Sequence, residues 1–173
     1  CRGILQGLAV LHEAGITHRD LKPENVFVTG PVDDETPKIA DCGIARVDGL
    51  SVGTVAALTP AYAGPEQSLS LFDPTRRNPL VGAWSDVHAL AAVFWFILAG
   101  EHWCRSEGDN DWHIGKRRSL RTAERLHEGF QRSAALSEFD EVLTKAASHR
   151  LPAEAWASPG ASDYERVSEL RFG

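Results

Sequence analysis

The chain has 173 residues, of which 43% are hydrophobic and 24% charged, with a formal net charge of −6. That supplies apolar material for one sizeable core, and no apolar run approaches the roughly 18–20 residues that span a membrane. The acidic balance argues against a nucleic-acid surface, and Cys1, Cys42 and Cys104 are too few and too scattered for a disulfide framework, which favours a reducing compartment.

In chain order, residues 2–13 predict the last turns of an amphipathic helix with Ile4, Leu5, Leu8 and Leu11 on one face. The chain opens at Cys1 and contains no methionine, so the expectation is a piece of a longer protein. A charged run follows, His18-Arg19-Asp20-Leu21-Lys22-Pro23-Glu24-Asn25. Val26-Phe27-Val28 then reads as a short buried strand and Lys38-Ile39-Ala40 as a second, joined by a polar, exposed hairpin turn from Gly30 to Pro37. Asp41 would emerge at a strand end close to Asn25. Between Gln67 and Ser85, Asp73-Pro74, Asn78-Pro79 and Gly82 mark a surface excursion.

From Ser85 or Asp86 the pattern predicts a strongly apolar, buried helix, Val87 to Ala99, with Gly100 as its terminator. His113 to Gln131 suggests one exposed basic helix carrying Lys116, Arg117, Arg118 and Arg121, read as a solvated face or as a docking surface for an acidic partner. Leu136 to Ala147 predicts an amphipathic helix, and Asp163 to Leu170 a last short one after the loop Leu151 to Ala161. His102, Cys104 and His113 match no common zinc spacing and read as incidental.

The run at 18–25 carries the chemistry. Phosphoryl transfer asks a protein for a carboxylate to orient the attacking hydroxyl, a cation against the moving phosphate, and oxygen ligands for a hard metal ion. Asp20 is the candidate base, Lys22 reaches the same side of an extended loop, and Asn25 offers a neutral oxygen, with Asp41 as the converging second ligand. An isolated Asp-x-Gly or Pro-Glu marks only a turn or a helix start, whereas the eight-residue loop is specific.

His18 to Asn25, read with Asp41-Cys42-Gly43, resembles the catalytic loop and the Asp-Phe-Gly motif of the eukaryotic-type protein kinase family. Thr59-Pro60-Ala61-Tyr62-Ala63-Gly64-Pro65-Glu66-Gln67 is similar to the end of the activation segment in bacterial members, and Ser85-Asp86-Val87-His88-Ala89-Leu90-Ala91 to the start of the family's central helix. The resemblance implies that Asp20 orients the nucleophile, Lys22 neutralises the phosphoryl group, and Asn25 and Asp41 hold magnesium or manganese on ATP. It implies that Thr59 contacts both Asp20 and Lys22, that Arg19 lies where many members pair an arginine with an activation-loop phosphate, and that His18, Gly43, Glu66 and Asp86 are structural anchors; Ser51 and Thr54 read equally as sites for that phosphate and as ordinary loop hydroxyls. Lys22 two residues after the base is the family's serine/threonine signature.

Four positions depart from the pattern. Cys42 stands where the family has phenylalanine, Gly64 where it has alanine, and Ala91 where it often has glycine. Asp163 stands where an arginine would pair with Glu66, which leaves Arg150 or Arg166 as substitute cations.

The resemblance covers nearly all of residues 1–173 as a partial domain: the mainly α, α+β C-terminal lobe of the protein-kinase-like fold, with a short β-hairpin beside the catalytic loop. The Gly-rich loop, strand lysine and helix glutamate of an N-terminal lobe do not precede residue 18. The expectation is a serine/threonine protein kinase acting on a protein hydroxyl with Mg-ATP, inactive without its N-terminal lobe, and cytoplasmic unless an anchor lies elsewhere. It would contact neither nucleic acid nor membrane through this segment. The competing class is a pseudokinase-like or truncated binding module, against which the full set of Asp20, Lys22, Asn25 and Asp41 speaks. Lys22 and the Thr59 to Gln67 signature favour a protein substrate over a small-molecule kinase of related fold.

Overall fold

A computed structural model describes residues 2–41, 46–47, 59, 61–68, 81–103, 119–123, 126 and 128–147. The expectations for Cys1, Cys42, Gly43, Ser51, Thr54, the excursion over residues 69–80, Cys104, His113, residues 116–118, Arg150, the loop at 151–161 and the helix at 163–170 lie outside these residues.

Helix α1 (Arg2–Glu13) turns its Ile4 and Leu8 into the core and half-buries Leu11. Leu5, expected on the same face, is 48% exposed, because the covered stripe is narrower than the apolar one. The chain then enters strand β1 (Ile16–Thr17), paired antiparallel with β4 (Arg46–Val47) in the register Ile16 to Val47 and Thr17 to Arg46. After a 3-10 turn at Pro23–Asn25, strands β2 (Val26–Thr29) and β3 (Thr36–Ile39) form an antiparallel hairpin, Val26 opposite Ile39 and Thr29 opposite Thr36.

The hairpin corrects the expected buried strand. Phe27 and Val28 are 55% and 60% exposed. A two-stranded ribbon lying with β3 against α1 covers one side only, so Val26 and Ile39 pack on the core while their neighbours do not. Thr36 and Pro37 belong to β3 rather than to the turn; a strand paired on one side tolerates a proline without an N–H.

After the short α2 (Pro65–Ser68) comes α3 (Ala83–Ala99), the central element. It starts before Ser85, because Gly82 takes the cap position and the Ser85 hydroxyl, a turn inside, accepts the Gly82 N–H at 3.2 Å. Its last turn closes where Gly100 adopts a left-handed φ of 69° and donates to the Phe96 carbonyl at 2.8 Å, a conformation glycine takes without a Cβ penalty. Val93 and Trp95 are fully buried, with Ala89, Leu90, Ala91, Ala92 and Phe94 beside them. Among the described residues no helix is long and apolar enough to cross a membrane.

The expected single helix from His113 to Gln131 is not continuous over its described part. Leu120–Thr122 is a 3-10 turn, Ala123 is extended, and α4 (Glu128–Gln131) is a separate short helix. Two interactions explain the break. Leu120 and Ala123 are buried in the core, and the Asp140 carboxylate accepts both the Ser119 hydroxyl at 2.6 Å and the Leu120 N–H at 2.9 Å. Asp140 lies on α5 (Ala134–Ala146), capped by the Ser133 hydroxyl, which accepts the Leu136 N–H. Leu136 and Leu143 of α5 face the core, and Phe139 meets Phe94 of α3 with ring centroids 6.2 Å apart.

Candidate active site

Irregular backbone between β1 and β2 carries the site, so something other than a strand ladder must hold it. The main brace is Asp86, fully buried in the first turn of α3. Its Oδ2 accepts the His18 N–H at 2.8 Å and the His12 Nε2–H at 2.8 Å, and its Oδ1 accepts the Arg19 N–H at 2.7 Å. Three donors from α1 and the loop thus converge on one carboxylate. His18 is fully buried beside it; its Nε2 donates to the Ala40 carbonyl at 3.0 Å and its Nδ1 accepts the Asp20 N–H at 3.3 Å, which defines the tautomer. Leu21, completely buried, anchors the loop's apolar side.

Held this way, the loop presents a compact polar cluster. The Lys22 ammonium lies 2.7 Å from Asp20 Oδ2, and their side chains are only 23% and 13% exposed. Thr59 Oγ1 donates to Asp20 Oδ1 at 2.9 Å and accepts from Lys22 Nζ at 3.1 Å. Asn25, itself buried, donates from Nδ2 to the Asp20 carbonyl at 2.8 Å and more weakly to Asp20 Oδ2 at 3.4 Å. The structure therefore brings Asp20, Lys22, Asn25 and Thr59 into one network. A carboxylate fixed by a cation and a hydroxyl keeps a defined direction in a partly dehydrated site, where such contacts weigh more than in water.

Asp41 is exposed, with a φ of 59°, two residues beyond the end of β3. The Ala40 N–H donates to the Asn25 carbonyl at 2.9 Å, which draws Asp41 to the same end of the hairpin as Asn25. The Asn25 Nδ2 is taken by Asp20, which leaves its amide oxygen as the acceptor of that side chain, and an amide oxygen and a carboxylate thus lie on neighbouring backbone. That donor set fits a hard divalent cation. The second grouping weighed from sequence has a different environment: His102 Nδ1 is bonded to the Tyr62 hydroxyl at 3.0 Å, and its two companions lie outside the described residues.

Thr59 is positioned by the turn that follows it. The Tyr62 and Ala63 N–H groups both donate to the Thr59 carbonyl at 3.0 Å, and Trp103 Nε1 donates to the Ala61 carbonyl at 3.0 Å. Tyr62 is 3% exposed; burial, and secondarily the charge of Glu24, push its phenol far above the ordinary tyrosine range, so it stays protonated.

Glu66 is completely buried and accepts the Ser85 hydroxyl at 2.7 Å. A Cβ on Gly64 would stand 2.6 Å from Glu66 Oε1, so the carboxylate occupies the room an alanine would need there. Glu66 and Asp86 brace the site through Ser85 and through the backbone of His18 and Arg19. Sequence reasoning missed His12, Ser85 and Gln67 as site-shaping residues; only Ser85, three residues after Gly82 at a helix start, carried a local signal.

The protein kinase domain family matches residues 1–158. The chain is similar to the serine/threonine-protein kinase PknL of Mycobacterium tuberculosis, 32% identical over 178 residues that cover 97% of this chain and 39% of that protein. It is similar to the serine/threonine-protein kinase pkn2 of Myxococcus xanthus, 36% identical over 56% of this chain and 11% of that protein. It also resembles the calcium/calmodulin-dependent protein kinase cmkB of Emericella nidulans, 38% identical over 57% of this chain and 23% of that protein. The chain thus spans well under half the length of these curated relatives.

Proposed function

This chain belongs to the protein kinase domain family, with bacterial serine/threonine kinases among its relatives, and we propose that residues 1–173 form the C-terminal lobe of a serine/threonine protein kinase. The observation that carries this reading is the Asp20 carboxylate held between the Lys22 ammonium and the Thr59 hydroxyl. Family members use ATP and a divalent cation generally; the choice of magnesium belongs to the proposal.

Asn25 and Asp41 would hold the cation. When bound, Mg-ATP supplies the γ-phosphoryl group together with charge neutralisation on its oxygens. The chain's own residues do the positioning. Asp20 would accept the hydrogen bond of an incoming protein hydroxyl and take its proton as the hydroxyl oxygen bonds to the γ-phosphorus and the bond from that phosphorus to the departing ADP oxygen breaks. Lys22 holds a positive charge beside that point, where negative charge crowds in the transition state. Thr59 fixes the free rotation of the Asp20 carboxylate and links it to the segment that would bind the substrate peptide. Ser or Thr as acceptor fits Lys22 at its place in the loop.

The test is Mg-ATP-dependent phosphorylation of a protein substrate by the full-length protein. Replacing Asp20 by asparagine keeps the shape and removes the base, and a fall of about 100-fold or more in kcat is expected. Equal rates in the two proteins would sink Asp20 as the base.

A further inference from the structure

Gln67 is 1% exposed although its side chain ends in a carboxamide, so that amide needs hydrogen-bond partners inside the fold. It does so on two backbone segments distant in sequence. Its Oε1 accepts the Gly64 N–H at 2.9 Å, and its Nε2 donates to the Arg19 carbonyl at 2.6 Å, 48 residues away.

Arg19 is an unusual place to anchor. Its φ is 72°, a left-handed conformation that side-chain-bearing residues seldom take. Asp86 grips the N–H of Arg19 and Gln67 grips its C=O, so both of the residue's backbone polar groups are fixed by side chains. The Arg19 carbonyl belongs to the same planar peptide unit as the Asp20 N–H. Fixing one therefore orients the other, and with it the direction in which Asp20 leaves the backbone.

The other end of Gln67 reaches the segment that holds Thr59. Gly64 follows the turn in which Tyr62 and Ala63 donate to the Thr59 carbonyl, and Thr59 in turn donates to Asp20. These hydrogen bonds, completed by the backbone from Ala63 to Gly64 and from Arg19 to Asp20, form a closed circuit from Asp20 through Thr59, Ala63, Gly64, Gln67 and Arg19 back to Asp20. We infer that Gln67 is a positioning residue that couples the segment at 59–64 to the loop bearing Asp20, so that the base and the peptide-facing segment are set as one unit. Its kinetic consequence rests on the phosphotransfer reading above; the coupling itself does not.

Two variants of the full-length protein test it: Gln67→Leu, which removes both bonds at similar volume, and Gln67→Asn, whose amide is one methylene too short to span both partners. Hydrogen–deuterium exchange is measured in peptides covering 18–22, 61–64 and 134–146, beside steady-state kinetics. Exchange is expected to rise in the first two peptides together and to stay level in α5. In the same variants kcat should fall about 10- to 100-fold, the size of effect that misplacing a catalytic group produces, with the KM for ATP within about two-fold of the parent. Unchanged exchange at 18–22, a rise spread equally through α5, or raised exchange with unaltered kcat would each overturn the proposal. Should the parent show no Asp20-dependent phosphorylation, the phosphotransfer reading falls, and the exchange pattern still decides the coupling. The asparagine variant, the smaller change, keeps the test alive if the leucine variant does not fold.

Discussion

The loop at 18–25 and the β2–β3 hairpin that follows it are adjacent in sequence and opposite in how they are held. The loop lacks regular structure over most of its length, yet His18, Leu21 and Asn25 are buried and Asp86 and Gln67 pin its backbone. The hairpin has a complete backbone ladder, yet Phe27, Val28 and Val32 are largely exposed. Regular hydrogen bonding is therefore a poor guide to burial in this molecule. Around Asp20, long-range side-chain hydrogen bonds do the fixing, Asp86 as acceptor and Gln67 as donor; the ladder brings Asp41 back to the end of the hairpin where Asn25 lies.

The sharpest break of that contrast is Asp86→Ala. It strands two backbone N–H groups and the His12 donor at a fully buried site, with an expected loss of about 3–5 kcal/mol in denaturant unfolding of the full-length protein. A loss below 1 kcal/mol would mean that the loop holds itself. Next comes Tyr62→Phe, which removes the bond to His102 from the turn beneath Thr59 and is expected to cost about 1 kcal/mol. Tyr62 also gives a pH signature. Because folding raises its pKa, its contribution is complete below the unfolded value of about 10 and is lost as pH rises beyond it. Stability measured from pH 9 upward should fall less steeply in the phenylalanine variant. The smallest effect belongs to the hairpin turn: Val32→Thr, at a position 86% exposed, should change stability by less than about 0.5 kcal/mol. A larger loss would show that the exposed ribbon is more firmly coupled than its surface suggests.

The local readings of the sequence succeeded where one short segment holds its own cause. The apolar repeat of α1, the glycine that closes α3, and the amphipathic pattern of α5 depend on neighbours within a few residues. The 18–25 loop was legible because its residue types sit together in the chain. Burial was less legible: Leu5 and Phe27 look like core residues, and which face a neighbouring element covers is not written beside them. The expected basic helix at 113–131 gave way over its described part because Asp140, on α5, claims the Leu120 N–H for a different turn.

By itself the sequence determined the family, the chemical inventory of the loop and the periodicity of its main helices, since each rests on residue identity at short spacing. The contact of Thr59 with Asp20 and the anchoring role of Asp86 were implied by the family resemblance; tertiary structure alone decided that Asp86 also takes His12 of α1 and that Gln67 spans Gly64 and Arg19. Such bonds join groups tens of residues apart, and a buried donor or acceptor takes whichever partner the packed core brings within 3 Å or so. That partner is a property of the fold, with no periodic trace along the chain.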